Sequence, residues 1–145
     1  DQPTWVEIAG RRCRAITVDV GNPHAVVVLA DQLALAGLDL SRQPGFDSQV
    51  YPSGTNIEFV VPRDDHDLQM RVHERGVGET RSCGTGAAAT ALALMLWSGE
   101  PRENERWQVD VPGGTLHVAA LPGGEVELSG PAVLVADGLV DLIPA

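Results

Sequence analysis

Ser82-Cys83-Gly84-Thr85-Gly86-Ala87-Ala88-Ala89-Thr90-Ala91-Leu92-Ala93-Leu94-Met95-Leu96-Trp97 is the stretch that decides the fold. Alanine, leucine and methionine are strong helix formers, so residues 84–97 read as a helix, with Ser98, Gly99 and Pro101 as its stop. No side of this helix is polar. Such a helix belongs inside a fold, enclosed by sheet or by other helices. Ser82 is the expected N-cap, which makes Cys83, Gly84 and Thr85 the first helical residues and leaves their backbone N–H groups without intrahelical partners.

A cysteine at that place has a chemical consequence. The partial positive charge of a helix start favours thiolate over thiol and can bring a cysteine pKa down to roughly 3.5 to 7.5. Gly84 and Gly86 leave the N–H groups unobstructed, so a carboxylate can be held beside the sulfur. Most single cysteines are merely small apolar packing residues. Here the flanking glycines, and a polar loop over residues 74–82 with Glu74, Arg75, Glu79 and Arg81, favour a reactive thiol. Cys83 is therefore expected to alkylate faster than Cys13 near neutral pH.

Outward from the helix, residues 5–20 read as a hairpin turning at Ala9-Gly10, with Ile16, Val18 and Val20 on alternate positions. Gly21-Asn22-Pro23 interrupts as a loop before a buried strand at 25–29. A short helix is expected at 32–37, a surface loop at 43–54, and a strand at 56–61 stopped by Pro62. After a charged turn at 63–67, Leu68, Met70 and Val72 have the period-two spacing of one strand face. Past the helix, strands at 107–111, 115–120 and 125–129 are separated by Pro112-Gly113-Gly114 and Pro122-Gly123-Gly124, which predicts an antiparallel meander. Residues 133–136 read as a last strand and 139–143 as a short tail. The sum is an α+β fold: residues 1–145 as a single, strand-rich, barrel-like domain of mostly antiparallel strands around a central apolar helix.

Composition excludes several functions. The formal net charge is -10 and all ten cations are arginines, so no basic patch exists to neutralise nucleic-acid phosphates. The longest apolar stretch, 87–97, is far short of the roughly 20 residues of a membrane span. Cys13 and Cys83 make no disulfide framework, which fits a reducing cytoplasm. His24, His66, His73 and His117 lack the spacing of metal ligands, so no metal is expected. The chain opens at Asp1 without an initiator Met, which reads as a fragment of a longer protein.

Glu74-Arg75-Gly76-Val77-Gly78-Glu79-Thr80, followed by Ser82-Cys83-Gly84-Thr85-Gly86, resembles the second-cysteine signature of diaminopimelate epimerases. Gly21-Asn22-Pro23-His24 and Gly54-Thr55-Asn56-Ile57-Glu58 resemble two further signatures of that family's C-terminal half, in the same order. The resemblance implies a fold of two similar halves, each a barrel around a central helix, with diaminopimelate held between the helix starts. It implies no cofactor, a homodimer, and a place in lysine and peptidoglycan-precursor biosynthesis. The N-terminal half, with the second catalytic cysteine, is absent from this sequence and is an expected partner. By the same resemblance Cys83 is one of the two proton-transferring thiols, and Glu74 and His24 help to set their protonation. Asn22, Asn56, Glu74 and Arg75 correspond to substrate-binding groups, and Gly84 and Thr85 offer N–H groups to the reacting carboxylate.

The residue types suit that chemistry, since removing an α-proton needs a base and a means of stabilising the charge left behind. Pyridoxal phosphate, the usual electron sink of amino-acid racemases, is held on a lysine, and this chain has none. Other functions fit the same residues less fully: a hydrolase with Cys83 as nucleophile and His24 or His73 as its base, a non-catalytic amino-acid-binding domain, or an isomerase of another amino acid. Plainer roles exist as well. Asn22, Asn56 and His24 are ordinary turn residues, Glu74 and Arg75 an ordinary surface pair, and Cys13, among arginines on the hairpin, reads as structural.

Overall fold

The computed structural model describes residues 4–64, 66–99 and 105–140. β1 (Thr4–Ile8) and β2 (Arg11–Asp19) form the expected hairpin, with Ala9 and Gly10 both at positive φ, 51° and 73°, as a tight hairpin turn requires. The order then runs β3 (Pro23–Val28), α1 (Gln32–Ala36), β4 (Gly45–Phe46), β5 (Asn56–Asp64), β6 (Asp67–Glu74) and β7 (Gly78–Thr80). α2 (Gly84–Ser98), β8 (Arg106–Val111), β9 (Gly114–Ala120) and β10 (Val126–Ser129) complete it.

The strands join in one sheet of order β10-β9-β8-β6-β5-β3-β2-β1-β4, with β7 paired to β6. Neighbours are antiparallel except β3 with β5 and β6 with β8. Each parallel pair is bridged by a crossover that contains a helix, as parallel strands require. The two helices lie on opposite faces.

Strand alternation explains this. Val18, Val26, Val60, Met70 and Val72 point to the face that packs on α2, together with Ala87, Ala91 and Met95. Ala15, Ala25, Val27, Ile57, Phe59 and Val61 point to the other face, where Leu35 of α1 and Leu40 cover them. α2 touches strands from β2 across to β10, so the sheet curls around it, but the strand path is open and does not close into a barrel. Residues 86–91 of α2 are buried, as an all-apolar helix demands, yet Leu96 and Trp97 near its C-terminal end are exposed, so the enclosure is incomplete.

Several expectations are corrected. β5 runs through Pro62 instead of stopping there. β3 pairs with β5 only as far as Val60, so the missing Pro62 N–H faces no strand. The 74–82 loop contains β7, which pairs along β6, and the 43–54 loop contains β4. Residues 133–136 form no strand; Val133, Leu134 and Val135 lie exposed in irregular chain. Cys83, not Ser82, is the N-cap of α2. Pro101 and residues 141–143 lie outside the described residues. Among the described residues no helix is long and apolar enough to cross a membrane.

Candidate active site

The parity that separates the two cores also assembles the site. His24 on β3, Asn56 and Glu58 on β5 and Glu74 on β6 share the strand parity of Val26, Val60 and Val72, and so the face on which α2 begins. Cys83 caps that helix from extended backbone (φ -134°, ψ 111°), its sulfur accepting the N–H of Gly86 at 3.3 Å. A thiol has replaced the hydroxyl that normally fills the N-cap role. At the start of α2, beside Cys83, the N–H groups of Gly84 and Thr85 make no intrachain bond among the described residues. A cleft of about 430 Å³ opens there, lined by Asp19, Val20, Gly84, Thr85 and Leu128 among others.

Behind the sulfur lies a buried acid–imidazole pair. His24 Nδ1 and Glu58 Oε1 are 2.7 Å apart, with both side chains fully out of solvent. His24 Nε2 meets Asn22 Oδ1 at 3.0 Å, Asn22 Nδ2 donates to Thr85 Oγ1 at 3.4 Å, and Thr85 Oγ1 lies 3.6 Å from Cys83 Sγ. The five residues form one connected chain of polar contacts.

The candidate residues sort accordingly. Cys83, His24, Asn22 and Thr85 are brought together, with Gly84 at their edge. Glu74, at the end of β6, accepts the Thr80 hydroxyl. Asn56 spends its amide on the backbone: Oδ1 accepts from Arg75 N at 3.0 Å, and Nδ2 donates to Pro23 O at 3.3 Å. Arg75 is exposed, and among the described residues its guanidinium donates to Ser53 O, at 3.3 Å. His73 faces the α1 side and bonds Leu40 O, so it is out of reach of Cys83. Cys13 packs against the α1-side core, on the far side of the sheet from Cys83.

Glu58 closes the Gly54–Glu58 motif, but motif reading gave it no role. Its signal was a lone carboxylate in the apolar run Ile57-Glu58-Phe59-Val60-Val61, two residues from Asn56 and so on the same face. Burial pushes its pKa above the ordinary carboxylate value, against the opposing pull of the His24 hydrogen bond.

The helix start does not activate Cys83 in the way its position suggested. Burial pushes the thiol pKa up, the Thr85 hydroxyl and the Gly86 N–H pull it down, and the carboxylates of Glu74 and Glu58 push it up again. The net direction is upward. Desolvation outweighs the helix-terminus hydrogen bonds because only 9% of the residue is exposed.

Comparison with known proteins gives these features a family. The chain belongs to the diaminopimelate epimerase family, whose model matches residues 16–135. A diaminopimelate epimerase of Streptomyces coelicolor is 49% identical over 141 residues, covering 94% of this chain and 48% of that protein. One from Rhodococcus opacus is 47% identical over 136 residues, covering 92% of this chain and 46% of that one. The chain thus spans about half the length of these relatives. Among solved structures, a phenazine biosynthesis protein of the PhzF family from Bacillus anthracis superposes with a TM-score of 0.47 and 17% identity, over 87% of this chain and 38% of that one.

Proposed function

We propose that this chain is the second-thiol half of a diaminopimelate epimerase, a cytoplasmic, cofactor-independent enzyme of lysine biosynthesis that works as a homodimer and interconverts the LL and meso forms. The observation that carries this is Cys83 at the start of α2, beside the open N–H groups of Gly84 and Thr85, in a chain 49% identical to a diaminopimelate epimerase. The N–H groups would hold the substrate carboxylate and take up the charge that develops on it.

The step balances without a redox partner. One thiolate removes the α-proton and the C–H electron pair delocalises into the carboxylate. The opposite thiol then gives its proton to the other face of the same carbon, so one sulfur ends protonated and the other ionised. In one direction of the inversion Cys83 gives the proton and the thiol of the N-terminal half takes one; in the other direction the roles exchange. Glu74 and His24 bias the Cys83 proton, while Asn22, Asn56, Glu74 and Arg75 bind the distal end of the substrate. A hydrolase reading has less support, because His73 lies across the sheet and His24 reaches Cys83 only through Asn22 and Thr85.

The test combines this chain with the N-terminal half of the Streptomyces coelicolor relative and follows the stereoisomer ratio of diaminopimelate. Inversion by the mixture, with none from either piece, is the expected result. Inversion by this chain alone would overturn the half-site proposal.

A further inference from the structure

The Cys83 thiol is connected to a buried carboxylate four residues away along a hydrogen-bond path, and that path has a direction. Asn22 Oδ1 can only accept, so His24 Nε2, 3.0 Å away, must carry a hydrogen. Asn22 Nδ2 can only donate, so Thr85 Oγ1 accepts there and has its own hydrogen free for the sulfur at 3.6 Å. On the opposite side of the ring Glu58 Oε1 lies 2.7 Å from Nδ1 and holds the ring in place. With Nε2 already a donor, one further proton is shared between Nδ1 and Oε1. The pair is then either carboxylate with imidazolium or carboxylic acid with neutral imidazole, and both forms have zero net charge.

Resting on the functional reading above, we propose that Glu58 is a positioning residue: by fixing the His24 ring with Nε2 as donor, it orients Asn22 and Thr85 so that the last hydrogen of the path points at the Cys83 sulfur. The hydrogen bond of the Glu58 side chain goes to His24 and not to the thiol. It acts through His24, from a strand whose flanking residues, Ile57 and Phe59, are fully buried, so the carboxylate has little freedom to move. Burying a carboxylate carries a desolvation cost, which a purely structural position would avoid with an apolar side chain. The change Glu58→Leu removes the partner of Nδ1 and frees the ring to turn, whereas Glu58→Gln can keep the arrangement, because its amide donates to a bare Nδ1 and leaves Nε2 protonated.

The experiment reads Cys83 and needs no substrate, so its outcome is separate from that of the epimerase proposal. The rate of Cys83 alkylation by iodoacetamide is followed across pH by peptide mapping for the wild type, Glu58→Leu, Glu58→Gln, Thr85→Val and the double variant Glu58→Leu/Thr85→Val. The neighbouring titratable groups are Glu58, Glu74 and His24. The expected result is a profile displaced to higher pH in Glu58→Leu, with alkylation about two- to tenfold slower below its midpoint, the size of one lost hydrogen bond, and a Glu58→Gln profile close to the wild type. A similar displacement is expected in Thr85→Val, with no further change in the double variant. Three results overturn the proposal: an unchanged profile in Glu58→Leu; faster alkylation in Glu58→Leu, as simple loss of a negative charge would give; or a Glu58→Leu effect that persists undiminished in the Thr85→Val background. If Glu58→Leu fails to fold, the nitrogen-15 histidine spectrum of the wild type decides. A protonated His24 Nε2 supports the proposal, and a bare one overturns it.

Discussion

Gly86 sits between Cys83 and Glu58 with no room to spare: its N–H bonds the Cys83 sulfur, and a methyl group on its α-carbon would lie 2.8 Å from Glu58 Oε1 and 3.2 Å from that sulfur. The glycine is needed for this close approach, since its backbone is ordinary helix. Gly86→Ala must displace the carboxylate, the thiol or the start of α2. Overpacking of this kind costs about 1–3 kcal/mol. Urea unfolding of the variant should show a loss in that range, and an unchanged midpoint would mean that the helix start shifts freely.

The Cys83 thiol is pushed above the ordinary cysteine value of 9.0, chiefly by burial. Alkylation of Cys83 should therefore be slow at pH 7 and climb only as the pH passes above 9.0. The more exposed Cys13 should label first at neutral pH, the reverse of what the helix-start position alone predicts. Differential labelling followed by peptide mapping measures both sites, and faster labelling of Cys83 at pH 7 would contradict the burial account.

Arg71 ties three elements together. Its Nε and Nη2 hold Glu79 of β7 at 2.8 and 3.0 Å, while Nη1 donates to the carbonyls of Leu35 and Leu38 at 2.7 and 3.0 Å, near the end of α1. A lysine keeps the charge but cannot span both groups. Arg71→Lys should lose about 1–3 kcal/mol in denaturant unfolding, and Glu79→Gln less, because the carbonyl contacts survive in that variant. Equal losses would show that the ion pair dominates.

Asp110 gives a pH signature. The Thr115 hydroxyl and then Arg63 hold its carboxyl below the usual value of 3.8. A depressed folded-state pKa contributes stability above the unfolded value, and this contribution is lost as the pH falls through the folded value. Asp110→Asn should therefore be destabilised at pH 7, and its deficit should close below pH 3.8. A deficit that stays constant down to acid pH would assign the effect to packing.

Much of this architecture was legible in the sequence because it rests on periodicity. The alternation at Ile16, Val18 and Val20 and at Leu68, Met70 and Val72 named the face that meets α2, and the apolar run of α2 named the core. The motif glycines located Cys83 at a helix start. Features that depend on a third element were not legible. β7 exists because β6 offers it an edge, and β5 continues past Pro62 because β3 has already ended. The N-cap missed by one residue, since serine is the better capping residue in isolation but the backbone turns helical only after Cys83. The direction of the thiol shift depends on burial, which a linear sequence does not contain. Glu58 was quoted with its motif but given no role, though a carboxylate in an apolar run is itself a signal.

The central claim is that Cys83 moves a proton at the α-carbon. Its most direct test is solvent deuterium incorporation into diaminopimelate in heavy water, scored together with stereochemistry, for the combined halves with Cys83 intact and with Cys83→Ala. With Cys83 intact, deuterium should appear at the α-carbon of the inverted product. With Cys83→Ala, inversion should fall by several orders of magnitude, because groups that act as a unit fail together. Full inversion with deuterium uptake in the Cys83→Ala mixture would contradict the account.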